Sequence, residues 1–189
     1  MRAEEFFDRV PELFARSRPR WEAGYDGLIY AIRRPLSMAN VHDVVAWTDG
    51  GKLPDFTAKD LVVVNDVLLP LRWPDVRPLN RLKVIEGMTL TRATALLHFH
   101  NPSFPPFTAG AVQGLALLGK RVRRPSGLKL DDVRAYRRYL DVMSALKERW
   151  PYQTVPETHY FHAWLLEASL GELARGGKGD DPTTRGASI

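Results

Sequence analysis

Apolar residues recur at helical spacing along almost the whole chain. Residues 3–16 place Phe6, Phe7, Val10, Leu13 and Phe14 on one face, the stripe an amphipathic helix buries. Pro19 is expected to end that element, because proline removes a backbone donor and clashes with the preceding turn. Tyr25, Leu28, Ile29 and Ile32 predict a second helix over 23–33, closed by Arg33-Arg34-Pro35. Ser37 is a predicted N-cap for a helix reaching about Trp47, and Asp49-Gly50-Gly51 is a stop. Thr57 is a predicted N-cap for a helix carrying Leu61, Val62, Val64, Leu68 and Leu69, with Pro70 near its end. The run Leu61-Val62-Val63-Val64 also fits a short buried strand.

Further elements follow. A short helix is predicted over 76–84, and Gly87 marks a turn. A helix is then expected from Leu90 to His98, with a rigid connection through Asn101-Pro102 and Phe104-Pro105-Pro106. Residues 109–118 are small and apolar and end at Gly119, the pattern of a buried helix with a glycine C-cap. Residues 130–149 form the longest amphipathic stripe, through Val133, Tyr136, Leu140, Met143 and Leu146. A last helix is predicted over 157–173. The expected architecture is an all-α, compact multi-helix domain over 1–175, with a disordered tail over 176–189 rich in Gly, Asp, Thr and Ser. No repeat is visible at a period of 20–50 residues.

Composition narrows the class. The chain has 189 residues and no cysteine, so disulfides, thiolate metal sites and cysteine nucleophiles are excluded. The acidic, amphipathic N-terminus lacks the apolar core of a secretory signal, and no apolar run approaches membrane-spanning length. These points lead to the expectation of a cytoplasmic protein with no membrane partner.

Charge is concentrated. The net charge is +5, yet residues 120–138 alone hold Lys120, Arg121, Arg123, Arg124, Lys129, Arg134, Arg137 and Arg138 against Asp131 and Asp132. The rest of the chain is close to neutral. A basic patch on a balanced body is the footprint of a polyanion binder, and a solvated arginine-rich face is the plainer alternative.

Other chemistry is sparse. His98 and His100 flank Phe99, and His159 and His162 stand three apart on the last predicted helix. The first pair diverges at a helix end, so no metal and no other cofactor is expected. His98 is expected to make a helix-end hydrogen bond, and His100 to lie at the surface. Trp47, Trp73, Trp150 and Trp164 fit core packing, whereas Trp21 also suits stacking on a base. Gly-rich phosphate loops and the Gly-x-Ser-x-Gly elbow are absent.

One stretch carries more. It runs Val84-Ile85-Glu86-Gly87-Met88-Thr89-Leu90-Thr91-Arg92, then His98-Phe99-His100-Asn101-Pro102, then Phe104-Pro105-Pro106-Phe107-Thr108. Over 84–119 the chain resembles the helix-hairpin-helix DNA glycosylase superfamily, in particular its uncharacterised glycosylase-like branch. The likeness extends weakly to Val41-His42-Asp43-Val44-Val45-Ala46-Trp47 and to His162-Ala163-Trp164-Leu165.

The resemblance implies a hairpin at about 84–97 that binds a DNA phosphate through backbone N–H groups and the helix dipole. Gly87 would permit the turn, Thr89 and Thr91 would cap or donate, and Arg92 would add charge. The family hairpin usually has a second glycine where this chain has Thr89. The family's catalytic aspartate position falls on Thr108, which is uncharged and suits an N-cap for 109–118. The lysine nucleophile of bifunctional members falls on Thr91, so Schiff-base chemistry of that type is not supported. The implied partner is duplex DNA, damaged DNA included, with base excision undecided. If the acid has moved, a carboxylate should line a deep pocket beside Thr108. The rival from another class is a helical protein–protein adaptor with a basic face, its partners unknown.

Overall fold

A computed structural model describes residues 1–32, 34–73, 75–124, 127–150 and 162–176, apart from the side chains of 18–23, 162 and 163; every regular element it describes is a helix. The order is α1 (Ala3–Ala31), α2 (Met38–Asp49), α3 (Ala58–Leu68), a 3-10 helix (Arg77–Val84), α4 (Leu90–His100), α5 (Ala109–Leu117), α6 (Leu130–Arg149) and α7 (His162–Gly176). The strand alternative at 61–64 is not taken, since these residues lie within α3. The expected tail beyond residue 176, and the first part of the expected last helix, fall outside the described residues.

Helix α1 departs from expectation. It runs through Pro19 as one element, where two helices separated at that proline are predicted from the sequence. An interior proline costs on the order of 3 kcal/mol. Packing explains why the helix continues. Phe14, before the proline, meets Trp164 edge-on at 6.0 Å. Tyr25, after it, stacks on the same indole at 4.0 Å with the rings 10° apart. Both halves of α1 are therefore clamped to one residue of α7.

The side-chain caps form as their residue types dictate. Ser37 accepts from the Asn40 N–H at 3.1 Å, and Thr57 from the Asp60 N–H at 3.3 Å. Gly50 ends α2 in the left-handed region at φ 69°. Gly119 stands at φ 71°, and the Lys120 N–H reaches back to the Leu115 carbonyl at 2.9 Å, closing α5. The segment 77–84 is a 3-10 helix, started by Pro78 and closed by i→i+3 bonds such as Ile85 N–H to Leu82 O at 3.1 Å.

Helix α7 packs on α1, α5 and α6, while α4 packs on α2. The side chains of 164–174 are all buried, as are those of 93–100. Helices buried on all sides form the centre of such a domain. The α5–α7 approach depends on Gly110 and Gly114, one turn apart. A Cβ at Gly114 would lie 2.3 Å from the Leu170 carbonyl oxygen, and one at Gly110 would lie 3.2 Å from the Gly171 Cα. This close packing sets Glu167 of α7 against the start of α5.

Two side-chain expectations are corrected. His100 is buried at 3 % exposure, because α4 runs two residues further than expected and carries it inside. Trp73 is 47 % exposed and is not a core residue. Trp47, half-buried, does pack on the core, against Tyr25 and Phe99.

Candidate nucleic-acid interface

A turn over 85–88 joins the 3-10 helix to α4, where the expected hairpin lies. Gly87 takes φ 72°, a conformation that L side chains rarely adopt, and the Met88 N–H donates to the Ile85 carbonyl at 3.1 Å. Thr89 caps α4 by accepting from the Arg92 N–H at 3.3 Å. The Leu90 N–H donates to the Gly127 carbonyl at 3.1 Å. Two of the first N–H groups of α4 are thus satisfied within the protein.

The other hairpin residues turn inward. Thr91 Oγ1 donates to the Phe107 carbonyl at 3.2 Å. Arg92 is 13 % exposed and paired with Asp49 at 2.8 Å, and its guanidinium also donates to the carbonyls of Lys52 and Gly87. The hydrogen bond from this arginine holds the Asp49 carboxyl below its ordinary value. It clasps the α2 end to the hairpin, and those contacts engage the donors that a phosphate would need.

One stretch of the basic segment touches the start of α4. The Leu90–Gly127 hydrogen bond ties segment 120–129 to the start of α4. Asp132 is 1 % exposed and holds both the end of this segment and Arg123 within it. Its carboxylate accepts from the Lys129 N–H at 3.0 Å and from Arg123 at 2.7 Å. Arg134 pairs with Asp131 at 2.9 Å, and Arg137 with Asp141 at 3.1 Å. Lys120, Arg121, Arg124, Lys129 and Arg138 are exposed, and none has a carboxylate partner among the described residues. Of the eight cations in the segment, these five have charge available to an external anion.

Thr108 caps α5, accepting from the Ala111 N–H at 3.2 Å. Its hydroxyl donates to Glu167, a residue the sequence reasoning does not single out. Glu167 is 7 % exposed, and burial pushes its carboxyl up to about 7, against the Thr108 hydrogen bond and the Arg175 charge. Its negative charge in turn helps to hold the buried Tyr139 phenol well above its ordinary range. Tyr136 and Tyr139 donate to the Pro105 and Pro106 carbonyls at 3.0 and 3.1 Å, locking the Pro-rich connection in front of Thr108. A carboxylate therefore does stand beside Thr108. The described clefts at α6 do not reach it; none of them is lined by Thr108 or Glu167.

His98 is a structural clip. Its Nδ1 lies 2.9 Å from the Phe104 carbonyl, and its Nε2 lies 2.9 Å from the Tyr25 hydroxyl. A carbonyl only accepts, so Nδ1 carries the proton and Nε2 accepts from Tyr25. Burial lowers the imidazole to about 4. Among the described residues, no group of three His, Asp or Glu is placed to hold a metal ion. No described helix is long and apolar enough to cross a membrane.

Comparison with protein-family models, with curated proteins and with solved structures returned no match to this chain.

Proposed function

We propose that this chain binds duplex DNA through its phosphates, as a helix-hairpin-helix protein of the glycosylase-like type. The observation that carries the reading is the set of five exposed cations, Lys120, Arg121, Arg124, Lys129 and Arg138, without carboxylate partners among the described residues. Ordinary protein surfaces intersperse both signs of charge. The segment is held at its start by the Lys120 N–H on the Leu115 carbonyl, and near its end by Gly127 on Leu90 of α4 and by Lys129 on Asp132 of α6. Phosphate contacts of this kind position a duplex without reading its sequence.

The proposal assigns binding and no excision chemistry. Thr108 is occupied in capping α5, and the neighbouring Glu167 is engaged by its hydroxyl. The test is fluorescence anisotropy on labelled undamaged and abasic duplexes across a salt series. Neutralising five phosphates predicts a slope of log affinity against log salt of about −4 to −5. Absence of binding at low salt would refute the reading. Preference for the abasic duplex would bring repair into it.

One observation favours the adaptor as a second reading. A cleft of about 310 Å³ along α6 is lined by Val142, Ala145 and Leu146 together with Lys120, Arg138, Arg149 and one carboxylate, Asp141. An acidic, partly apolar protein segment fits that chemistry. Capture of such a partner, with no affinity for DNA, would establish it over the DNA reading.

A further inference from the structure

Another side of α6 carries a feature that duplex binding does not use. Trp73 is 47 % exposed, whereas the other tryptophans with described side chains are half-buried or buried. Phe104 supports its ring from 6.0 Å at 47°, and the Arg137 guanidinium carbon stands 5.8 Å over it. Each member of this pair lines an open cleft, Arg137 one and Trp73 the other. One, of about 610 Å³, has Val76, Leu130 and Val133 beneath Arg77, Arg134 and Arg137. The other, of about 190 Å³, is lined by Trp73 itself, Leu140, Met143, Ser144 and Lys147, with Ser103 opposite. They follow successive stretches of α6, which spans about 26 Å from residue 130 to residue 147 at 1.5 Å per residue.

We propose that this double cleft binds single-stranded DNA, with a base stacked on Trp73 and the flanking phosphates held by Arg77 and Arg134 on one side and Lys147 on the other. An exposed, propped aromatic ring between cationic clefts is the combination that holds unpaired bases without reading sequence. The length matches a site of about four nucleotides, the low end for such grooves. Carboxylates also stand here. Asp75 pairs with Arg77 at 2.8 Å, Asp131 with Arg134 at 2.9 Å and Asp141 with Arg137 at 3.1 Å. Both partners of each pair are at least two-fifths exposed, and exposed pairs are weak enough for a phosphate to share the guanidinium. Lys147 has no carboxylate partner among the described residues.

This inference rests on the reading of the chain as a nucleic-acid binder and names the unpaired strand as a second form it takes. The experiment is anisotropy with a labelled oligothymidylate of about eight nucleotides and with a blunt duplex, on the wild type, Trp73→Ala and Trp73→Phe. Trp73→Ala should weaken single-strand binding about tenfold, with duplex binding unchanged, and Trp73→Phe should retain single-strand affinity to within about threefold. Quenching of tryptophan emission by the oligonucleotide, present in the wild type and lost in Trp73→Phe, provides a readout should Trp73→Ala fail to fold. Equal single-strand affinity in wild type and Trp73→Ala, or no single-strand binding, overturns the inference. If the duplex binds normally in that case, the inference fails alone. Trp73-dependent single-strand binding without duplex binding overturns the proposed duplex function instead.

Discussion

Glu167 gives the sharpest test of how this fold is held. Its carboxyl is buried between α5 and α7 and titrates at about 7, against an ordinary value of 4.5. The folded state therefore holds this proton more tightly than the unfolded chain. Its contribution is fully present below pH 4.5 and is lost as pH rises to 7. At about 1.4 kcal/mol per tenfold in proton affinity, the gap corresponds to about 3 kcal/mol. Glu167→Gln keeps an oxygen to accept from Thr108 and carries no charge. The stability of Glu167→Gln relative to wild type should thus rise by about 3 kcal/mol between pH 4.5 and 7, then stay level. His98 and His100, lowered to about 4, act in the opposite direction between pH 4 and 6.5, and they cancel in this comparison. In the wild type alone the two histidines and Glu167 balance at about pH 7, where stability should be greatest. The assay is urea denaturation of both proteins at half-unit pH steps. Parallel pH profiles for the two proteins would refute the reasoning.

Other substitutions test particular contacts. Tyr25→Phe leaves the buried His98 Nε2 without its donor and should cost about 1–3 kcal/mol by chemical denaturation. Gly114→Ala drives a Cβ into the Leu170 carbonyl and should destabilise by about 1–3 kcal/mol or more, read as a lower melting temperature. Arg92→Ala should lower stability by about 1–3 kcal/mol while leaving the salt slope of duplex binding unchanged, because its donors serve Asp49, Lys52 and Gly87. A flatter slope in Arg92→Ala would instead make it a phosphate contact.

Features set by neighbours in sequence are legible without a structure. Ser37, Thr57 and Thr108 cap helices because each hydroxyl reaches an N–H three residues on, whatever the rest of the fold does. Gly50, Gly87 and Gly119 punctuate the chain for the same local reason, their positive φ. The misses arise from tertiary packing. Pro19 looks like a break, but Phe14 and Tyr25 meet on Trp164, which lies far along the chain. Glu167 passes for a solvated helix acid until Gly110 and Gly114 bring α5 down on it; its one trace in sequence is the apolar run Ala163-Trp164-Leu165-Leu166 just before it. Arg92 follows Gly87 closely in sequence, but its partner Asp49 is brought to it only by the fold. Trp73 follows a helix end, where periodicity carries no information about burial.

The central claim is that the unpaired cations of segment 120–138 hold DNA phosphates. Arg121→Ala/Arg124→Ala/Arg138→Ala removes three of the five and touches no described ion pair. Duplex affinity measured from about 50 to 200 mM salt, for this variant and the wild type, should show a slope shallower by about 3 in the variant. Identical slopes and affinities would contradict the account.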